Sequence, residues 1–172
     1  RYPTYTQYQT VLEYGPQLNV DGLELMFYPA WYPDLDTIAN DLRKSGLKFP
    51  VIHTEKNIGV ELGKEQAEVR KQSVRRLADN CRLGSRIGAQ ILVLHLWGWP
   101  ELDDHLDNNL EHLHDCMDIA AKYGIELAIE TIPCRQSDPL SNVYRAIERD
   151  GRSRVALDTE FLAKHQQLDE VF

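Results

Sequence analysis

Short runs rich in Val, Ile and Leu recur along this chain, each followed by a longer segment of helical period, and that alternation restricts the fold more than any other feature. Runs of this kind are buried on both faces of a parallel sheet, and the intervening helices supply the crossovers that parallel strands need. Five strands are expected, at 22–27, 49–53, 90–96, 125–131 and 154–158. Helices are expected at 6–18, 34–44, 64–87, 106–123 and 138–149. Pro33 and Asp34 signal the start of the second helix, and Gly46, Gly124 and Gly151 stand where helices stop ahead of strands. Gly84 interrupts the long third helix and predicts a break there, since an interior glycine costs about 1 kcal/mol relative to alanine.

No linker, low-complexity tract or charge block divides the 172 residues, so the pattern is that of a single α/β domain. A helix precedes the first strand, and another begins near the end of the chain. If the sheet closes into an eight-stranded βα barrel, strand one lies before residue 1 and strands seven and eight lie beyond Phe172. The expectation is a domain truncated at both ends, holding about strands two to six.

Composition then excludes several classes. With 42% hydrophobic and 27% charged residues the chain reads as globular, and its apolar runs end well short of the roughly 20 residues of a membrane span. The opening "RYPTYTQYQT" lacks the basic start and apolar stretch of a secretory signal, so a cytoplasmic setting is expected. Cys81, Cys116 and Cys134 are widely spaced and are read as reduced thiols. A net charge of −8 repels a phosphate backbone, which argues against nucleic acid as a partner. The basic stretch "VRKQSVRR" at 69–76 spaces its cations as a solvated helix face.

The ends of the strands carry the chemistry. In parallel βα folds the active site gathers at the carboxyl ends of the strands. Here "PVIHT" ends with His53, "ILVLHL" with His95, "ELAIET" with Glu130 and "RVALDT" with Asp158, while "GLELMF" carries Glu24. Two carboxylates following apolar strands need a cation or several donors beside them. A set of His, His, Glu and Asp suits Zn²⁺ or Mn²⁺ better than an all-oxygen cation.

Together "VDGLELM", "HTEKNIG", "RIGAQILVLHLWG", "GIELAIETIPC" and "VALDTEF" resemble, in order, the xylose isomerase-like barrel superfamily, which includes sugar and sugar-phosphate isomerases and epimerases as well as endonuclease IV-type repair enzymes. The resemblance implies a (β/α)8 TIM barrel with a divalent metal ion (Mn²⁺, Zn²⁺, Co²⁺ or Mg²⁺). It implies that Glu130 binds metal and acts as a catalytic acid/base, and that Asp158 is a second metal ligand. A further histidine and a second acid/base glutamate belong to the last two strands. In the repair branch the histidines falling on His53 and His95 bind metal, whereas in the isomerase branch histidines there contact substrate. The substrate-binding role is the one expected for His53 and His95. Phe161 stands where many relatives place a histidine, which weakens the repair-enzyme reading.

The activity implied is metal-dependent isomerisation or epimerisation of a sugar or sugar phosphate, with proton transfer through an enediolate. The alternatives are an endonuclease IV-like nuclease and a non-catalytic sugar-binding or regulatory barrel. Trp97 is expected to wall the substrate pocket, with Trp99 beside the same exit and Trp31 divided between pocket and core. Glu24 is read as structural, and His105, His112 and His114 as solvated. The expected partner is a small-molecule sugar, and self-association into a homo-oligomer is left open.

Overall fold

A computed structural model describes residues 8–98 and 103–172. Its centre is a five-stranded parallel sheet in the order β1 (Glu24–Met26), β2 (Val51–His53), β3 (Ile91–Leu94), β4 (Glu126–Glu130) and β5 (Arg154–Ala156). Each strand lies beside the next one in sequence, the winding of a βα barrel wall. All five expected strands are present and shorter than their apolar runs: Phe49 and Pro50 precede β2, whereas His95 and Leu96 follow β3.

One face of the sheet packs under helices. Ile52, Leu92, Leu94, Leu127 and Ile129 alternate onto that face and join the main apolar core. Burying each such side chain is worth on the order of 1.5–3 kcal/mol. The helices are α1 (Tyr8–Tyr14), α2 (Leu35–Lys44), α3 (Asn57–Leu62), α4 (Ala67–Ile87), α5 (Leu106–Glu111), α6 (Leu113–Lys122), α7 (Pro139–Arg149) and α8 (Thr159–Lys164). Among the described residues no helix is long and apolar enough to cross a membrane.

Gly46 and Gly124, at φ +74° and +70°, adopt the left-handed conformation that ends α2 and α6. Gly84 does not break α4. A methyl group there would lie 2.9 Å from Ile125 Cδ1 and 3.4 Å from Ile52 Cδ1, so the missing side chain lets the intact helix sit close on the sheet. The helix expected at 106–123 divides at His112, whose φ −96° and ψ 0° leave the helical region between α5 and α6.

Helix α3 was not expected, because six residues are too few for a periodic signal. It is held from outside: Ser73 Oγ donates to Ile58 O, and Asn109 Nδ2 to Gly59 O, both at 2.7 Å. Glu24 is also misplaced by the sequence reading, since it begins β1 and is exposed there instead of standing at the strand exit.

Candidate active site

Parallel pairing explains why three of the polar residues meet. His53 pairs with Val93, which pairs with Ala128, so the side chains of all three share one face. His95 and Glu130 each lie two residues further along their strands and keep that face. Leu94 pairs with Ile129, which sends His95 and Glu130 out side by side.

The resulting cluster is tight. His95 Nε2 lies 2.5 Å from Glu130 Oε2, His53 Nε2 lies 3.1 Å from the same oxygen, and the two Nε2 atoms are 3.1 Å apart. Both rings are buried and meet edge to face, with centroids 4.6 Å apart. Burial pushes the Glu130 carboxyl up, but the two imidazoles pressed against it outweigh this and hold it below the usual carboxylate range. Burial pushes His95 down, opposed by its bond to Glu130. Glu130 is therefore an anion between two rings, of which His95 is held toward its neutral form.

The protons on these rings do not satisfy the cluster. His53 Nδ1 lies 2.9 Å from Thr54 O, a pure acceptor, so Nδ1 carries the hydrogen and the neutral ring presents a lone pair at Nε2. That lone pair faces Glu130 Oε2, which is also an acceptor. A hydrogen on His95 Nε2 reaches Glu130 but leaves His95 Nδ1 buried and without a partner. Two imidazole nitrogens and a carboxylate oxygen, all within 4.8 Å of one another, make a donor set that a divalent cation fits. A backbone carbonyl behind a ligating histidine is a frequent outer partner in such sites.

Asp158 does not join this group. Its Oδ1 accepts from Phe161 N–H at 2.9 Å and caps α8, and its own N–H donates to Thr131 Oγ1 at 2.8 Å. The group that meets is Glu130 with His53 and His95, and Asp158, expected as a joint ligand of Glu130, stands apart from it with Oδ1 capping α8. Trp97 is corrected as well: it is fully buried, and its Nε1–H donates to Pro133 O at 3.0 Å, so it ties the loops after β3 and β4 instead of walling a pocket. Trp31 packs in the core against Phe27 and Tyr28. Trp99 lies outside the described residues. His114 is exposed but paired with Asp150 at 2.9 Å.

Sequence reasoning missed the groups that hold the strand exits in place. Glu55, two residues beyond His53 and 2% exposed, accepts from Arg76 Nη1 at 3.0 Å on both oxygens and from Tyr32 O–H at 2.8 Å. Arg76 also pairs with Glu61. It is therefore a half-buried ion-pair partner, not a member of a solvated basic face. Removing one member of such a pair strands a buried charge at a cost of about 3–5 kcal/mol. Urea unfolding of Arg76→Leu should show a loss of that order, and adding Glu55→Leu should recover most of it. An unchanged midpoint in the single variant would refute the account.

Asp103 does similar work for the β4 exit. Its carboxylate accepts from the backbone N–H groups of Arg135, Gln136 and Ser137 at 2.7–3.1 Å. Burial raises its pKa, and these backbone donors more than reverse the effect. An Asp in a polar loop looks ordinary in sequence. Its role depends on three amides more than 30 residues away.

Comparisons agree with this architecture. The xylose isomerase-like TIM barrel family matches residues 12–159. No curated protein sequence matches the chain. Among solved structures, D-psicose 3-epimerase from Clostridium cellulolyticum, determined with D-tagatose, superposes with a TM-score of 0.70 at 13% identity, covering 91% of this chain and 60% of the epimerase. An L-ribulose 3-epimerase gives 0.71 at 17%, covering 92% and 57%. A Thermus thermophilus protein soaked with ZnCl2 gives 0.73 at 21%, covering 91% and 64%. The chain thus spans about three fifths of the length of these proteins. Such identities establish the shared fold, and the family match covers most of the chain. The protein is accordingly a member of the xylose isomerase-like TIM barrel family.

Proposed function

We propose that the protein is a divalent-metal-dependent sugar or sugar-phosphate isomerase or epimerase. The observation that carries this reading is the convergence of His53 Nε2, His95 Nε2 and Glu130 Oε2 at the carboxyl end of the sheet. The 3-epimerases among the structural neighbours support the substrate class. Zn²⁺ and Mn²⁺ are the ions best suited to the donors, which would be His53, His95 and Glu130. Such an ion supplies Lewis-acid polarisation of adjacent substrate oxygens, as an enediolate pathway requires.

The remaining chemistry belongs to the residues. Glu130 is an anion that can accept a proton, and the imidazoles beside it hold its proton affinity down. Its proton affinity rises once His95 no longer donates to it, so its acid/base role depends on where the His95 ring directs its hydrogen. The apolar helices behind β2 to β4 and the buried Glu55–Arg76 pair keep the three side chains from drifting apart. The three free, buried cysteines suit a reducing, cytoplasmic setting.

A nuclease reading draws on one specific observation: both histidines sit with Glu130, the placement seen in the repair branch of the resemblance. The charge of −8 opposes it. The test is to load the protein with Zn²⁺ or Mn²⁺ and follow solvent deuterium entering a panel of ketoses and ketose phosphates by NMR, beside a nicking assay on abasic DNA. Carbon-bound deuterium next to the carbonyl is the expected result. Nicking without exchange would establish the nuclease, and stoichiometric metal binding with neither activity would leave a binding barrel.

A further inference from the structure

Asn80 is fully buried in the interior of α4, where apolar residues are the usual occupants. Its Nδ2 donates to Arg76 O at 2.8 Å and to Tyr32 Oη at 3.1 Å, and its Oδ1 accepts from Glu55 N–H at 3.0 Å. Because Arg76 O can only accept, the amide has a single orientation, with its oxygen toward Glu55.

The Glu55 N–H belongs to the same peptide unit as the Thr54 carbonyl, and that carbonyl oxygen receives the His53 Nδ1 hydrogen at 2.9 Å. A peptide unit is planar, so holding its N–H sets the direction of its C=O. The preceding unit is held too, since Thr54 N–H donates to Val93 O at 2.9 Å. Hydrogen bonds in series polarise one another, which makes the Thr54 oxygen a better acceptor.

We propose that Asn80 is a positioning residue for His53: acting through the Thr54–Glu55 amide, it fixes the ring's orientation and keeps the hydrogen on Nδ1, so that Nε2 offers its lone pair beside Glu130 and His95. The consequence for metal binding rests on the assignment of His53 as a ligand. The consequence for the ring itself does not.

The test uses Asn80→Ala and Asn80→Asp in the full chain, with two readouts. Nitrogen-15 NMR of the imidazoles in metal-free protein reports which His53 nitrogen bears the hydrogen, and titration with Zn²⁺ against a chromophoric chelator reports affinity. Asn80→Ala should move His53 away from the pure Nδ1–H form and weaken Zn²⁺ by about 10- to 100-fold, the usual effect of losing an outer-shell partner. Asn80→Asp keeps an oxygen facing Glu55 N–H and should retain the wild-type His53 signal even where its melting temperature falls. An alanine variant that melts lower yet keeps both the tautomer and the Zn²⁺ affinity overturns the proposal. If that variant does not fold, Tyr32→Phe, which removes the hydroxyl that receives Nδ2–H, should shift the His53 signal in the same direction, and no shift overturns the proposal. A wild-type protein that binds no Zn²⁺ refutes the metal assignment alone, and the metal-free tautomer comparison still decides the role of Asn80.

Discussion

Glu130→Gln should lower Zn²⁺ affinity by at least 100-fold and ketose exchange by about 10²- to 10⁴-fold, the range associated with a lost acid/base group. The substitution is nearly isosteric, so the strand and its register should survive. What it removes is the negative charge between His53 and His95, at 3.1 and 2.5 Å, and with it the anion that draws a divalent ion to two neutral nitrogens. It also puts an amide, whose N–H2 can only donate, within reach of two ring nitrogens. Isothermal titration with Zn²⁺ and deuterium exchange into substrate measure the two effects separately. A variant that binds Zn²⁺ and turns over like wild type would end the isomerase reading. One that binds normally but does not turn over would move the metal elsewhere and leave Glu130 as a base.

Gly59→Ala should destabilise the protein by about 3 kcal/mol, the upper end of ordinary overpacking, and weaken Zn²⁺ as well. A Cβ at this position would stand 1.9 Å from the His95 carbonyl oxygen and 2.8 Å from Leu96 C and O. These are backbone atoms, with no rotamer to yield. Either α3 lifts off or the β3 exit shifts, and the latter carries His95 with it. Gly84→Ala is the matching control: its near contact at 2.9 Å is the tip of a flexible isoleucine, and alanine favours the helix by about 1 kcal/mol, so the two effects offset. Urea titration of both variants distinguishes the cases. A Gly59→Ala protein as stable as wild type would show that α3 does not bear on His95 as closely as described.

The winding of the fold could be read from the apolar runs, because a buried parallel strand leaves a compact local signature in its own residues. His53, His95 and Glu130 could be read for the same reason: each is the polar residue at the end of such a run. Their common place at strand exits put them in one set, but which of them touch depends on the register of β2 against β3 and of β3 against β4. Asp158 ends an apolar run in the same way, yet it stands apart from the three, with its Oδ1 accepting from Phe161 N–H. Trp97 misled in a different way. An indole at a strand exit has the same appearance whether it faces a sugar or bonds to the Pro133 carbonyl. Glu55, Asn80 and Asp103 lack any local signature, because each depends on a partner remote in sequence: Arg76 for Glu55, the Glu55 amide for Asn80 and the Ser137 amide for Asp103.

The Asp103 carboxylate and the Trp97 indole together hold the segment following β4 at Pro133, Arg135, Gln136 and Ser137. Exit loops of βα barrels are ordinarily where related proteins diversify, since they tolerate change without disturbing the wall. This loop is an exception, with its main chain committed to two distant side chains. Sequence change in this segment would have to preserve two remote anchors at once, so variation on this scaffold should fall in other loops first.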